Sequence, residues 1–406
     1  MLRSWRVVLA GAVLLTGCQE GPTAWTPAPG PSATVVDPSV VDPSVVGPGT
    51  PGGSAPTATP EPEPTRAVSD LLVTGNTFWG RYIDQRSAGD TSWPFQGLDG
   101  LNRESYNAWV STLECPAVNS EDPFELQETI LKFHCKPAYL ADAATWFDIF
   151  SLANNHSDNQ GPEGLQATRR NLDRAGIASF GDPDPEVLDR VCKPIAIEVE
   201  TAIDTSGWLP IAFCGYHGVF VIPSQHSIDQ ISEWGDRIPV IAMPHSGLEY
   251  VAEPDSIKTD LYRGLIDAGA DAVLGDHAHW VQSTEAYRGR LIVYGMGNFI
   301  FDQQGDLEVR RSAGIHVRLI TEDPNLDAWL DVGRACAVRP GACAQIVRAS
   351  GLPELDAALR FGVVGTTNPE MITRPASSSQ TQAILERMRW SSTMAGLTEP
   401  QGPLPR

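Results

Sequence analysis

Residues 151–161 read SLANNHSDNQG and begin at the end of an apolar run, WFDIFSLA, that is typical of a buried strand. An ordinary loop at this point would need only turn-forming residues. Instead, two carboxamides and an imidazole stand side by side, Asn154, Asn155 and His156. In α/β folds, the loops at strand ends gather into ligand sites. The stretch therefore predicts a polar site on an α/β scaffold.

Other apolar runs in the chain also end at Asn or His. These runs are DLLVTGN with Asn76, RIPVIAMPHSG with His245, DAVLGDHAHW with His277 and His279, and LIVYGMGNFIFD with Asn298. Helical spacing predicts helices over GPEGLQATRRNLDRAG and DSIKTDLYRGLIDAGA, the first of them closed by Gly176. Strand after strand thus ends at a residue that can bind a ligand.

These residue types suit a pair of divalent metal ions that activates water. Such a pair needs imidazole nitrogens, a bridging carboxylate and neutral carboxamide oxygens. The candidate ligands are Asn76, Glu114 in STLECP, Asn155, His245, His277 and His279. A lone histidine is more often a hydrogen-bonded core or surface residue. The HxH pair strengthens the metal interpretation, because alternate side chains of an extended segment project to one side.

Composition limits the partners of the chain. Its formal net charge is -21 over 406 residues, whereas nucleic-acid binding needs clustered Lys and Arg. Nucleic acid is therefore excluded as an expected partner. An anionic polymer would also be repelled overall, except at a local cationic site.

The N-terminus is typical of an exported protein. Residues 1–18, MLRSWRVVLAGAVLLTGC, carry basic residues, a short apolar segment and small residues before Cys18, as a secretory signal peptide does. The last four residues, LTGC, resemble a bacterial lipobox, which implies that Cys18 is lipidated. A plain signal peptide or an uncleaved anchor is the alternative, and either one also exports the chain.

Three segments follow the signal peptide. Residues 19–66 are rich in Pro, Thr, Ser and Gly, lack the apolar mass for a core and are expected to form a disordered linker. Residues 67–346 alternate apolar runs with helical patterns and form the predicted domain. Residues 347–406 are a C-terminal extension that carries no interpretable motif.

Cysteine usage agrees with export. Six cysteines remain beside Cys18, an even number that is typical of disulfides in an oxidising compartment. Pairing of sequence neighbours is the simplest of fifteen connectivities. It joins Cys115 to Cys135, Cys192 to Cys214 and Cys336 to Cys343. A zinc site is the rival interpretation, although the chain has no CxxC pair.

Several motifs, in order, resemble the CapA family of capsule and poly-gamma-glutamate synthesis proteins. They are TGNTFWGR, STLECP, SLANNHSDNQGPEGLQATRRNLDRAGI, PHSGLEY and LIDAGADAVLGDHAHWVQSTEAYRGRLIVYGMGNFIFD. The resemblance runs from about residue 70 to 319. That family is similar to the calcineurin-like metallophosphoesterases, so the implied fold is a four-layer α/β fold, with two packed mixed β-sheets flanked by helices.

The resemblance also implies roles for single residues. ANNH is similar to the metallophosphoesterase GNH element, which makes Asn155 a ligand and His156 the group that protonates a leaving oxygen or stabilises the transition state. Glu114 would bridge two divalent ions, Mn, Fe or Zn. The remaining assignments are His245 and His277 on one ion, His279 on the other, Glu249 and Asn298 lining the site, and Arg81 as a candidate contact for an anionic substrate.

Three positions depart from the family pattern. Asn76 stands where the family usually has Asp, so one anionic ligand is lost. Asn159 replaces a frequent Asp that would hold the His156 ring, and it stabilises an imidazolium less. Asp276 stands where His is common, and its carboxylate either compensates for the lost charge or faces solvent.

Two classes of function follow. The first is a surface-anchored, metal-dependent hydrolase of phosphoesters or amides, with His156 as the acid. The second is an accessory protein that binds an anionic polymer or other capsule-assembly components without turnover. Family resemblance favours a role in polymer synthesis or export at the extracytoplasmic face of the membrane. A phosphoesterase unrelated to capsule is the further alternative.

Overall fold

The computed structural model describes residues 65–203 and 205–405. The predicted signal peptide, Cys18 and the linker up to residue 64 lie outside the described residues. The strands are β1 Ala67–Thr77, β2 Ala108–Leu113, β3 Ile149–Ser151, β4 Ala178–Phe180, β5 Cys192–Thr201, β6 Ser206–Gly218, β7 Val240–Ser246, β8 Ala272–Leu274, β9 Thr284–Tyr287, β10 Arg290–Val293, β11 Asn298–Ile300, β12 Arg311–Thr321, β13 Ala358–Thr367, β14 Arg374–Pro375 and β15 Gln401–Pro403.

Twelve α-helices lie between these strands in the described part of the chain. They are α1 Arg81–Ser87, α2 Phe124–Thr129, α3 Leu140–Ala143, α4 Gly161–Ala175, α5 Leu188–Val191, α6 Gln225–Ile228, α7 Ser232–Gly235, α8 Ser256–Asp267, α9 Leu326–Val338, α10 Cys343–Ala349, α11 Ser378–Met388 and α12 Trp390–Gly396. Within residues 65–203 and 205–405, no helix has the length and apolar character needed to cross a membrane.

Strand β1 is the branch point of the sheet. It pairs with β2 and β11 in parallel and with β5 and β12 antiparallel. One arm continues from β2 through β3 to β4, and the other from β5 through β6, β7, β8 and β10 to β9. The predicted α/β architecture of mixed sheets and helices is confirmed, with the addition that both arms are hydrogen-bonded to the same strand.

Strand direction brings the carboxyl ends of both arms to one edge. β2, β3 and β4 run parallel to β1. β5 is antiparallel to β1, β6 is antiparallel to β5, and β7 and β8 then run parallel to β6. Two reversals restore the direction of β1, so β6, β7 and β8 end where β1, β2 and β3 end. This edge is where an α/β sheet places its ligands.

Two hydrophobic cores lie on opposite faces of β1, because successive side chains of a strand point to opposite faces. Leu71 and Val73 of β1 lie in one core, which also contains Ile211 of β6 and Ile241 of β7. Leu72, between them, lies in the second core with the aromatic residues under α3 and α4. The first core therefore joins the two arms, and the second attaches helices to the outer face of the β1–β4 arm.

The C-terminal residues take part in the sheet. β13 pairs with β12 over ten residues, from Arg311 with Thr367 to Ile320 with Ala358. β14 and β15 then pair with β13. Residues 358–403, which the sequence suggested only as an extension of unknown role, thus extend the sheet beyond β12.

Three disulfides occur in the structure, and all join sequence neighbours. They link Cys115 to Cys135, Cys192 to Cys214 and Cys336 to Cys343. The first connects the segment after β2 to the segment before α3. The second joins β5 to β6 at a register pair, and the third closes the turn between α9 and α10.

Candidate metal centre

The polar residues predicted from the sequence gather at the carboxyl edge of the sheet. Asn76 is the second-last residue of β1, and Glu114 directly follows β2. Asn154 and Asn155 follow β3, and His245 is near the end of β7. His277 and His279 follow β8, and Asn298 begins β11 beside Asn76. The fold therefore brings all the predicted ligands to one place.

Three atoms that can bind a metal ion lie close together: His245 Nε2, Asn155 Oδ1 and His277 Nδ1. Its Nε2 lies 2.8 Å from Asn155 Oδ1 and 3.2 Å from His277 Nδ1. Two ligands of one metal ion, each about 2.0–2.2 Å from it, lie roughly 3 Å apart. One imidazole N–H can satisfy only one of these contacts at a time. A hydrogen bond therefore accounts for one of the two contacts, whereas a cation shared by the three atoms accounts for both.

The contact between His279 Nδ1 and Asn298 sets the orientation of the His279 ring. Its Nδ1 is 2.8 Å from Asn298 Oδ1, a carbonyl oxygen that can only accept, and 3.1 Å from the Asn76 amide nitrogen; the tautomer with the proton on Nδ1 satisfies the shorter contact. The Nε2 lone pair is then free, and Nε2 lies 3.7 Å from Glu114 Oε1 and 3.9 Å from Glu249 Oε1. A backbone or amide oxygen that fixes the second nitrogen in this way is typical of metal-ligating histidines.

Glu114 is a buried carboxylate without a partner. The residue is fully buried, and neither carboxylate oxygen has a hydrogen-bond partner in the described part of the chain. Burial, followed by the nearby charges of Asp276 and Glu249, raises the pKa of Glu114 well above its usual range. An unpaired buried carboxylate is costly unless a proton or a cation compensates its charge. Its position, 3.7 Å from His279 Nε2, therefore fits a cation held beside that ring.

Two more buried atoms at this edge lack hydrogen bonds. Asn76 Oδ1 and His245 Nδ1 have no partner among residues 65–203 and 205–405. The Asn76 amide nitrogen faces His279 Nδ1 at 3.1 Å and Asn298 Oδ1 at 3.4 Å. An amide oxygen left free in a buried site can complete the shell of a metal ion.

The HxH pair lies in a turn and not in an extended strand. β8 ends at Leu274, and both histidines have left-handed backbones, with φ of +83° at His277 and +55° at His279. The alternation argument from sequence was therefore wrong about the backbone, although both rings do reach the site. Non-glycine residues at positive φ are uncommon and occur preferentially at functional sites.

His156 is held as a neutral ring at the rim. Its Nδ1 donates to Asn159 Oδ1 at 2.9 Å, and the ring packs on Phe133 with centroids 4.2 Å apart. Asn154 shapes the turn, since its Oδ1 accepts from the His156 backbone N–H and its Nδ2 donates to the Leu113 carbonyl. Burial lowers the pKa of His156 to about 4, so the ring is neutral at neutral pH.

Arg81 is engaged in an internal ion pair, whereas the Glu249 side chain is partly exposed to solvent. The Arg81 guanidinium is buried and donates to both carboxylate oxygens of Asp302, at 2.7 Å and 2.5 Å. Its predicted contact with an anionic substrate thus competes with an internal ion pair. The Glu249 side chain is 37% exposed beside His277 and His279, so it borders the site from the solvent side.

His217 was missed by the sequence reasoning. It ends β6 in register with His245 of β7, and its Nδ1 donates to the Pro183 carbonyl at 2.6 Å. The buried Nε2 has no partner within the described chain. The signal was present, because IAFCGYHG is an apolar run that ends at a histidine, as RIPVIAMPHSG does.

Residues 65–203 and 205–405 contain no group of three or more His, Cys, Asp or Glu side chains placed closely enough to hold a metal ion. The donor set around His245 consists of two imidazole nitrogens and one carboxamide oxygen. The donors and the unpartnered oxygens of Glu114 and Asn76 nevertheless fit a metal centre in their chemistry.

Two relatives match the chain in sequence. The PGA biosynthesis protein CapA of Bacillus subtilis is 31% identical over 180 residues, which cover 43% of this chain and 47% of that protein. A probable polyglutamine synthesis accessory protein of Mycobacterium tuberculosis is 30% identical over 177 residues, covering 39% and 46%. The matched segments span less than half the length of each relative.

Among solved structures, the calcineurin-like phosphoesterase YfkN of Bacillus subtilis is similar at 13% identity and a TM-score of 0.40. The match covers 82% of this chain and 99% of that chain. The family model described as "Bacterial capsule synthesis protein PGA_cap" matches residues 70–203 and 224–303, more than half of the chain. The chain therefore belongs to the PGA_cap family of bacterial capsule synthesis proteins.

Proposed function

We propose that the protein acts in the synthesis or export of an anionic capsule polymer of the poly-gamma-glutamate type, as an exported lipoprotein with a metal-dependent hydrolase centre. Family membership supports the capsule role. The convergence of Asn155, His245 and His277 beside the unpaired Glu114 carboxylate is the observation that carries the hydrolase part. The substrate is an amide or phosphoester of the polymer or of a precursor.

The donor set divides between two ions. Asn155, His245 and His277 would hold one, Asn76 and His279 the other, and Glu114 would lie between them. Two divalent ions supply Lewis-acid polarisation and water activation at such a site. The neighbouring atoms support this division, because Asn298 directs the free nitrogen of His279 toward Glu114.

His156 has the role of proton donor in this proposal. Asn159 holds its Nδ1 proton, so Nε2 is the atom that exchanges protons with the substrate. An anion bound beside the ring raises the pKa of His156, since a negative charge favours the imidazolium. Protonation would then accompany substrate binding, and the ring would deliver its proton to the leaving oxygen or nitrogen.

Binding of the polymer without turnover is the second candidate. The neutral amide of Asn76 favours it, because an amide oxygen holds a hard cation less strongly than a carboxylate does. In this case a bound cation would attract the anionic polymer to a chain that otherwise repels it through its net charge of -21.

The test measures metal content and hydrolysis on the same purified protein. We expect manganese or zinc to bind in up to two equivalents by titration and elemental analysis, and a chromogenic phosphodiester or a gamma-glutamyl oligomer to be cleaved. A His226→Ala protein, which loses an exposed imidazole on α6, should bind the same amount of metal as the wild type. Binding without cleavage of either substrate would select the accessory role, and absence of binding would reject the metal centre.

Anchoring is tested separately at Cys18, which lies outside the described residues. We expect Cys18→Ser to release the protein from the membrane fraction, because the linker alone supplies no membrane affinity and the acyl chains do. Labelling with a fatty-acid analogue should be lost in the same variant. Labelling that persists in Cys18→Ser would contradict the lipobox assignment.

A further inference from the structure

Most of the exposed large apolar side chains lie at the edge of the sheet that carries the candidate metal centre. Eleven such side chains are exposed within residues 65–203 and 205–405. Nine of them lie in the segments that follow β2, β6, β7 and β11, whose carboxyl ends form this edge. The other two, Trp208 and Val338, lie in β6 and at the end of α9. Single exposed apolar residues are normal, but their concentration at one edge indicates a binding surface.

The segment after β6 is the most apolar of these. Residues 218–224 read GVFVIPS and include no charged side chain. Phe220, Val221 and Ile222 are exposed one after another, and Phe220 is 75% exposed. A run of consecutive exposed apolar residues opposes solubility and is expected only where it has a function.

The segment after β7 lies beside this run. Gly218 of β6 is in register with Ser246 of β7, so the two segments leave the sheet side by side. A Cβ at Gly218 would lie 3.1 Å from Leu261 of α8, which brings α8 against the same place. Exposed residues of both segments and of the first turn of α8 therefore form one apolar patch, which consists of Phe220, Val221, Ile222, Leu248, Tyr250 and Ile257.

The apolar patch adjoins the histidines of the site. The Phe220 ring lies edge-on to His217, with centroids 5.7 Å apart, and the Tyr250 ring stacks on His279 at 5.5 Å. His217 itself is in register with His245. A ligand whose polar group reaches these imidazoles therefore lies next to Phe220 and Tyr250.

A glutamyl polymer does not account for the apolar patch. Such a polymer carries a carboxylate on every repeat and has no apolar group to cover Phe220 or Ile222, and the chain repels it through a net charge of -21. An aliphatic chain attached to a phosphoester or an amide matches both parts of the surface, because its polar end suits the imidazoles and its methylenes gain free energy on leaving water. The ring contacts with His217 and His279 favour this ligand over a partner that covers the patch alone.

We propose that the apolar patch binds an aliphatic chain carried by the substrate, so that the substrate is an amphiphilic phosphoester or amide. The inference rests on the proposed hydrolase centre and specifies the class of its substrate. The patch acts in binding, and its residues take no part in the bond that is cleaved.

The experiment compares octyl phosphate with ethyl phosphate by calorimetric titration in the presence of manganese, below the concentration at which the octyl ester forms micelles. The protein is the full chain with Cys18→Ser, which brings no acyl chain of its own. We expect the octyl ester to bind at least about 10-fold more tightly, since each buried methylene adds to the affinity. A Phe220→Ser and Ile222→Ser double variant should lose most of this preference.

Val338→Ser is the matched control and should keep the preference, because Val338 is also 75% exposed but lies at the end of α9, outside the apolar patch. Thermal unfolding checks the fold of each variant, and Val221→Ser is a second patch variant should the double variant fail to fold. Equal affinities of the two esters for the wild type, or a full preference in a folded patch variant, would overturn the inference.

Two other occupants of the apolar patch have their own outcomes. Sedimentation with phosphatidylcholine vesicles, or self-association, that depends on Phe220 and Ile222 without a preference for the octyl ester would assign the patch to a lipid surface or a second copy of the chain, and would overturn the inference. Preference for the octyl ester in a protein that cleaves no phosphoester or amide would support the inferred ligand and reject the hydrolase part of the proposed function.

Discussion

Replacing both His277 and His279 with alanine is expected to abolish metal binding. The two rings serve different groups of donors, since His277 contacts His245 and His279 lies beside Glu114. The double substitution therefore removes a ligand from each proposed ion, and water replaces such directional bonds poorly. We expect affinity to fall by more than about 100-fold, beyond the effect of outer-shell changes. Titration of manganese and zinc, with elemental analysis, measures it.

The control must separate ligand loss from backbone strain, because both histidines have positive φ. Glycine adopts positive φ without a steric penalty, so a His277→Gly and His279→Gly double variant removes the rings and relaxes the turn. Both double variants should lose the metal equally. Wild-type metal content in the folded glycine variant would show that the HxH turn has another role.

Substituting Gly75 with alanine is expected to destabilise the domain and disrupt the metal centre together. A Cβ at this position would lie 1.9 Å from the carbonyl oxygen of Gly297, a backbone atom that cannot rotate away. Relief requires β11 to move from β1, and this separates Asn76 from Asn298. We expect the free energy of unfolding to fall by about 3 kcal/mol or more, the upper range for overpacking.

Denaturant-induced unfolding checks this prediction, with Gly264→Ala as the control. A Cβ at Gly264 meets nothing within 4 Å, and the residue lies inside α8. Alanine is favoured over glycine in a helix by about 1 kcal/mol, so this variant should be slightly more stable than wild type. A Gly75→Ala protein as stable as wild type would show that β1 and β11 can separate without cost.

Sequence patterns predicted the parts of the fold in which burial has a regular period. β1 is continuously buried from Leu71 to Thr77, β7 is buried along its whole length, and α4 is capped at its C-terminus by Gly176, whose φ is +78°, as predicted. The ends of these elements then located Asn76 and His245. The stretch over which the period persists shows where an element begins and ends, so it locates a site whose residues lie at element ends.

The same patterns could not reveal the backbone of the HxH turn or the environment of Asp276. His277 and His279 have positive φ, which is uncommon for any non-glycine residue although less so for His, and the sequence does not indicate at which positions it occurs. Whether Asp276 faces solvent depends on α8, because Lys258 covers it from a different part of the chain. Such contacts have no signature in a single sequence.

The branch at β1 has a consequence for the order in which the chain folds. β1 is made first, but its partners β11 and β12 are synthesised hundreds of residues later, and Val68 pairs with Ile320. Pairing over such separations is slow because a long loop must close first. For a chain that crosses the membrane unfolded, as the proposed export implies, β1 is completed only after β12 has emerged. The metal would then be taken up from the extracytoplasmic pool and not from the compartment of synthesis.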